Sequence, residues 1–350
     1  MRRTIAVAVA CAGVMLAGAA RAQERYAVDG DRVAVYNLAG QMRVEAGGGS
    51  QVTVEVRRGG EDARQLTVRR SQSGGFSNLA IVYPGDRVVY PAMGRFSNTN
   101  LTVRPDGTFG DHGGGGWFGR GGVRVSGSGG GTRAWADVRV LVPAGRTVSV
   151  NQGVGRIDVV NVNGTLRVKG FASDIHASGT RGSVNLDTGS GGIELSDAVG
   201  DATLDTGSGG VRVTNVRGGV LSIDTGSGGV QGGGLAAQRL HVDVGSGAVR
   251  LDGVDARNID VDSGSGSVSL RLTADAEYLK VDTGSGGVTL AIPPSFGARA
   301  EIDTGSGGIH IEVPMTASRS TRDHFSGSFG DGNGRMIVDT GSGGVRVIRG

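Results

Sequence analysis

Cysteine is almost missing from this sequence: Cys11 is the only one. It lies in an apolar N-terminal stretch that reads as a secretory leader. Arg2 and Arg3 form a positive start, Thr4–Ala20 is rich in small apolar residues, and Ala20-Arg21-Ala22 is an A-x-A cleavage site. Cleavage there starts the mature chain at Gln23 and leaves it without cysteine, so its fold needs no disulfide even in a compartment that permits them. An uncleaved membrane anchor is the alternative. The stretch is short and poor in large apolar residues, which argues against one.

Histidine is also scarce. His112, His176, His241, His310 and His324 show neither metal-ligand nor triad spacing. Aromatic residues make up 4% of the chain, and ten of the fifteen lie before residue 150. The remainder of the chain therefore lacks the aromatic platforms that sugar-binding faces use. A surplus of positive charge is missing as well. Losing Arg2, Arg3 and Arg21 with the leader leaves the basic residues equal in number to the 33 acidic ones. Nucleic acid is not expected as a partner.

Glycine, by contrast, is abundant at 68 residues, without a collagen-like period. Much of it belongs to one phrase, Asp-Thr-Gly-Ser-Gly-Gly followed by a β-branched residue. Full copies begin at Asp187, Asp205, Asp224, Asp282, Asp303 and Asp339, and softer ones at Asp243 and Asp262. Worn copies begin at Asn151 and Lys169. Successive starts are 18 to 21 residues apart, except for a final gap of 36. A unit recurring about every 19 residues marks a stacked repeat architecture.

Aligned on the Asp, the copies almost throughout have apolar residues three and one before it, as in Leu221/Ile223, and six and eight after it, as in Val211/Val213. The residues between are polar and variable. Period-two alternation gives two short strands per unit, each with one inward face, joined by the GSGG corner. A second turn such as Asn215–Gly219 returns the chain. One unit alone cannot bury its aliphatic side chains. Stacked units bury them at an inter-strand spacing of roughly 4.8 Å. The expected fold is all-β: a β-solenoid over residues 148–350, preceded by an irregular β-rich cap region over 23–147.

Asp-Thr-Gly-Ser is also the signature of aspartic proteases, which need two such loops face to face. Here the copies are equivalent and nothing selects a pair. The six aspartates instead read as turn residues, each accepting backbone N–H groups two or three positions ahead. The glycines are expected to supply left-handed corner angles, and the following threonines to form a ladder just inside. A calcium-stabilised column is an alternative, though the calcium β-roll unit is nine residues and this one is twice that. A polysaccharide-active solenoid enzyme is another, but such a site calls for irregular rungs. The reading is non-enzymatic, with no catalytic residue, metal site or cofactor assigned.

Two segments break the rhythm. Residues 106–133 hold a glycine-rich loop with Trp117 and Phe118, close to the Tyr83-Pro84 and Tyr90-Pro91 turns. Tyr83, Tyr90, Trp117 and Phe118 are candidates for a contact surface, or alternatively a cap packing its aromatics over the first rung. Residues 314–334, rich in Ser, Arg, Gly and Asp, are expected as a loop thrown out from one corner.

The DTGSGGV units, the Val142-Pro143-Ala144-Gly145 lead-in with Gly155-Arg156-Ile157-Asp158-Val159, and the Val35-Tyr36-Asn37-Leu38-Ala39-Gly40 opening resemble the DUF4097 β-strand-repeat family. Its members carry an adhesin label that is itself inferred from architecture. The resemblance implies a solenoid in an exported envelope or surface protein and supplies no catalytic residues. The expected protein is periplasmic, outer-surface or secreted, binds a glycan or protein ligand there, and has no transmembrane segment once the leader is removed.

Overall fold

The computed structural model describes residues 23–110 and 122–350. The leader, Trp117 and Phe118 lie outside the described residues. Within them the regular secondary structure is all strand apart from two short 3-10 turns, Ala63–Gln65 and Pro91–Met93. The strands form one 23-stranded sheet and a separate three-stranded sheet. The β-solenoid read from the alternation is present.

Its middle shows how the repeats generate it. The strands Val211–Thr225, Val230–Val244 and Val249–Ser263 lie parallel and in register, Leu221 beside Leu240 beside Ile259. The inward residues Val211, Val213, Val216, Leu221 and Ile223 are all buried. Each of these three strands passes through a left-handed residue, and the rungs before them have one at the equivalent position, inside or just after the strand. Asn161, Asp197 and Asn215 have φ of 53–55°, and Gly179, Gly234 and Gly253, at the equivalent positions of their own rungs, have φ of 65–66°. This backbone region clashes with a branched Cβ and suits glycine, asparagine and aspartate, the only types found there. Asn215 also donates to the Asp197 carboxylate at 3.1 Å.

Both ends of the stack depart from chain order. The strand Arg32–Ala46 is itself a rung, in register with Arg146–Val160 through Val33–Val148 and Val44–Val159. Its other edge is covered by Phe76–Val82 and Trp135–Val142. These continue as antiparallel pairs with Thr67–Ser73 and Val52–Gly59. The parallel stack therefore ends in an antiparallel cap, so that no long parallel edge is left open. The three-stranded sheet, made of Arg87–Val89, Gly122–Ser126 and Asn98–Thr102, is an outgrowth of this cap.

At the far end the last rung is inserted between two earlier ones. Gly334–Thr340 pairs with Tyr278–Thr283 on one side and with Ala298–Thr304 on the other. Val345–Arg349 likewise lies between Val288–Ile292 and Ile309–Ile311. The 314–334 segment is not the plain loop expected. It contains Thr316–Ser320 and His324–Phe329, an antiparallel hairpin whose second strand closes the edge of Ala298–Thr304. Phe325 and Phe329 face inward from it, 5.8 Å apart, and Phe329 meets Phe296 at 6.5 Å. Two phenylalanines four residues apart supply the apolar side of a segment whose composition is otherwise polar.

Candidate functional site

The repeated corner is built by threonine more than by aspartate. Thr188, Thr206, Thr225, Thr283, Thr304 and Thr340 are buried in one column. The Thr206 hydroxyl donates to the Gly191 carbonyl of the preceding rung at 2.9 Å and accepts from Gly209 N–H at 3.0 Å. Thr225 repeats both bonds with Gly209 and Gly228. The backbone N–H capping expected of Asp205, Asp224 and Asp339 is made by the threonine that follows each, and the threonines after Asp187, Asp282 and Asp303 donate to corner carbonyls. The hydroxyl is short enough to remain inside the corner, whereas the Asp side chain, one position earlier, alternates outward.

The corner glycines also serve differently from the expectation. Gly189, Gly191, Gly207 and Gly209 do not adopt positive φ. They are glycine because the rungs approach too closely for a side chain: a Cβ on Gly209 would overlap the Gly191 carbonyl, and one on Gly228 the Gly209 carbonyl. The fourth corner position has more room, with the Gly229 carbonyl 3.4 Å from a Cβ on Gly210. Softer copies place Ala248 and Ser267 at that position.

Outside the threonines, the aspartates form one unbroken column. In spatial order it runs Asp187, Asp205, Asp224, Asp243, Asp262, Asp282, Asp339 and Asp303. A basic group stands at each end. Lys169 Nζ is 3.6 Å from Asp187, and His324 Nδ1 is 2.7 Å from Asp303. Asp205 has its carboxyl pushed above the ordinary range, first by desolvation and then by the charges of Asp187 and Asp224, with Lys169 opposing. No pair is drawn apart from the others as a catalytic dyad requires. Among the described residues, no group of three or more His, Cys, Asp or Glu is arranged to hold a metal ion.

The aromatic candidates separate. Tyr83 is in the core, its hydroxyl 2.9 Å from Asn37 Oδ1 and donating to the Ala39 carbonyl at 2.7 Å. Asn37 in turn donates to the Ala136 carbonyl and to Gln152 Oε1, and Gln152 to the Gly40 and Val154 carbonyls. This network occupies the threonine column where the first rungs lack threonine. Burial pushes the Tyr83 hydroxyl well above its ordinary pKa. Tyr90 packs against Trp135 with ring centroids 6.0 Å apart. One side of it borders a cleft of about 520 Å³ between the small sheet and the solenoid corner, where Ser173 also lies. Sequence reasoning did not single out Ser173, which sits inside the worn copy Lys169–Ile175 and looks like a degraded turn residue. No helix among the described residues is long and apolar enough to cross a membrane.

In-register parallel rungs, an internal threonine ladder and antiparallel caps define a β-solenoid repeat protein. The family model described as Toastrack DUF4097 matches residues 39–348, and the chain belongs to that family. No curated protein matches the chain. Among solved structures, a candidate cell adhesion protein from Clostridium sporogenes aligns over 94% of this chain and 99% of its own, at 8% identity and a TM-score of 0.20. That superposition is too loose to carry fold detail or function.

Proposed function

We propose that this is an exported, non-enzymatic binding or scaffolding protein of the cell envelope or surface, adhesin-like in its manner of action. The observation that carries the reading is the equivalence of the rungs. Eight aspartates share one column; Lys169 and His324 stand at its two ends, and among the described residues the six aspartates between have no side-chain partner that distinguishes one from the next. Catalysis requires a residue singled out by its surroundings. A long stack of parallel strands instead supplies a rigid, extended surface suited to holding or displaying contacts. The leader Met1–Ala22 supports export.

Fractionation of cells carrying an epitope-tagged chain tests the address. The tagged protein is expected in envelope or extracellular fractions, shortened by the leader. A full-length cytoplasmic pool would overturn the reading. Incubation with envelope polysaccharides is expected to release no product, and turnover lost on changing a single outer carboxylate would replace this reading with an enzymatic one.

A further inference from the structure

We infer that the cleft beside the C-terminal hairpin binds a hydroxylated ligand carrying a singly charged oxyanion, as an acidic envelope polymer presents. This rests on the reading of the protein as an envelope-binding module and names its ligand class. The cleft is open and about 530 Å³, within the range of roughly 300–1,000 Å³ occupied by small-molecule sites. Its walls come from two rungs and the hairpin. Arg335 belongs to Gly334–Thr340, Arg299 and Glu301 to Ala298–Thr304, and Ser318, Ser326 and Ser328 to the hairpin segment.

The two arginines lie directly opposite one another in parallel register, and both are exposed on the outer face. Neighbouring strands are roughly 4.8 Å apart, so the like charges repel across that gap. Another stacked pair shows how the fold can relieve this. Arg43 and Arg139 are opposite in the same way, and Glu45, two positions beyond Arg43, bonds both at 2.7 Å. Glu301 likewise stands two positions beyond Arg299, with Ile337 across from it as Leu141 is across from Glu45. Among the described residues, however, Glu301 bonds neither arginine, and neither arginine has another partner. One arrangement of two arginines and a glutamate is closed on itself near the first rungs and held open around a cleft near the last.

The open groups specify the ligand. Guanidinium forks take carboxylate or phosphate oxygens two at a time, and two neighbouring forks can share one oxyanion. The hydroxyls of Ser318, Ser326 and Ser328 both donate and accept, matching ligand hydroxyls, and Glu301 accepts from a further one. Two guanidiniums against one carboxylate leave a single net positive charge. That suits a uronate carboxylate or a phosphodiester better than a phosphate monoester, which carries about −1.5 to −2.

Titration calorimetry of the purified protein tests the assignment with three probes: digalacturonate for the carboxylate, glycerophosphoglycerol for the phosphodiester, and maltose as the neutral control. At least one acidic probe is expected to bind, and which one does identifies the source of the oxyanion. Arg299→Gln and Arg335→Gln should each weaken that binding about 10-fold or more, the effect of losing a charge-assisted hydrogen bond. Neither should lower the melting temperature, because each removes repulsion and no ion pair. Arg346→Gln, where the arginine is paired with Glu312, should leave affinity unchanged. Glu45→Gln, which loses two bonded arginines, should lower the melting temperature, and Glu301→Gln should not. An equal drop in both would show that Glu301 closes its arginines as Glu45 does, and overturns the proposal. Absence of binding to both acidic probes at about 10 mM ligand, a concentration on the order of the weakest specific sites, also overturns it. So does binding that both arginine variants leave intact, or maltose binding of equal affinity. If any of these happens while the protein still binds whole envelopes, the envelope role stands and only the cleft assignment fails.

Discussion

Asp282 and Asp303 begin consecutive copies of the repeat, yet they are not neighbours in space: Asp339 lies between them, paired with both. The chain lays down the Asp303 rung first, builds a hairpin over its outer edge, and then returns to fill the slot left behind. The C-terminal rung is thereby covered on both sides.

Deletion of residues 334–350 is therefore expected to damage more than one end of the stack. Without them, Tyr278–Thr283 and Ala298–Thr304 each lose one of their two neighbouring strands. Hydrogen–deuterium exchange should show loss of protection across both strands and the hairpin, while Val211–Thr225 stays protected. Loss confined to residues 298–329 would mean that the rungs stack in chain order.

The threonine column makes a prediction of opposite sign at two positions. Thr206→Val leaves the Gly191 carbonyl and the Gly209 N–H unpaired in a buried corner. It should cost about 1–3 kcal/mol of stability. Val244 occupies the same column in a softer copy and is fully buried. Val244→Thr is expected to stabilise the fold by about 0.5–1.5 kcal/mol, the usual net value of a hydrogen bond. Denaturant melts of both variants check the pair.

The corner glycines should differ sharply in tolerance. Gly209→Ala places a Cβ onto the Gly191 carbonyl and forces the two rungs apart. Gly210→Ala meets only the Gly229 carbonyl at 3.4 Å, an ordinary contact. The first is expected to lower the melting temperature by about 5 °C or more and the second by about 2 °C or less. Equal tolerance of the two would show that the rungs can separate freely at the corner.

Asp205 predicts a pH dependence. Its folded-state pKa is raised, by desolvation and by Asp187 and Asp224. The stabilising contribution of the protonated form is thus fully present below the unfolded value, about 3.9, and is lost as pH rises through the higher folded value. At pH 7 the charge is a load on the fold. Asp205→Asn should raise the melting temperature there by about 1–2 °C, the small size reflecting solvent screening at this exposed column. The gain should shrink as pH falls below about 4 and in 1 M salt. Glu45, held low by Arg43 and also by Arg139, loses its own contribution as pH falls. Variant and parent are therefore compared at each pH, not each across pH.

Much of the solenoid was legible because its period is written twice, once in the aliphatic alternation and once in the glycine phrase. The Leu221/Ile223 and Val211/Val213 pairs point inward as the pattern required. Stacking order was not legible. The Asp339 copy carries the same residues as its neighbours, and nothing in them records which two rungs it will join. The roles inside the corner were partly misread for a related reason. Asp, Thr and Gly repeat together, so spacing alone could not tell which side chain caps the turn and which faces solvent. Tyr83 and Tyr90 sit in similar Tyr-Pro contexts, yet one joins the buried network of Asn37 and Gln152 while the other borders the cleft. Only the three-dimensional path of the first rungs distinguishes them.

Saturation binding of the labelled protein to isolated cell envelopes bears hardest on the proposed role. Saturable binding at micromolar protein is expected, with the envelope polymers left intact and affinity unaffected by Asp205→Asn. Binding that fails to saturate, or release of soluble fragments from the envelopes, would show that this solenoid is not the non-enzymatic envelope-binding protein described above.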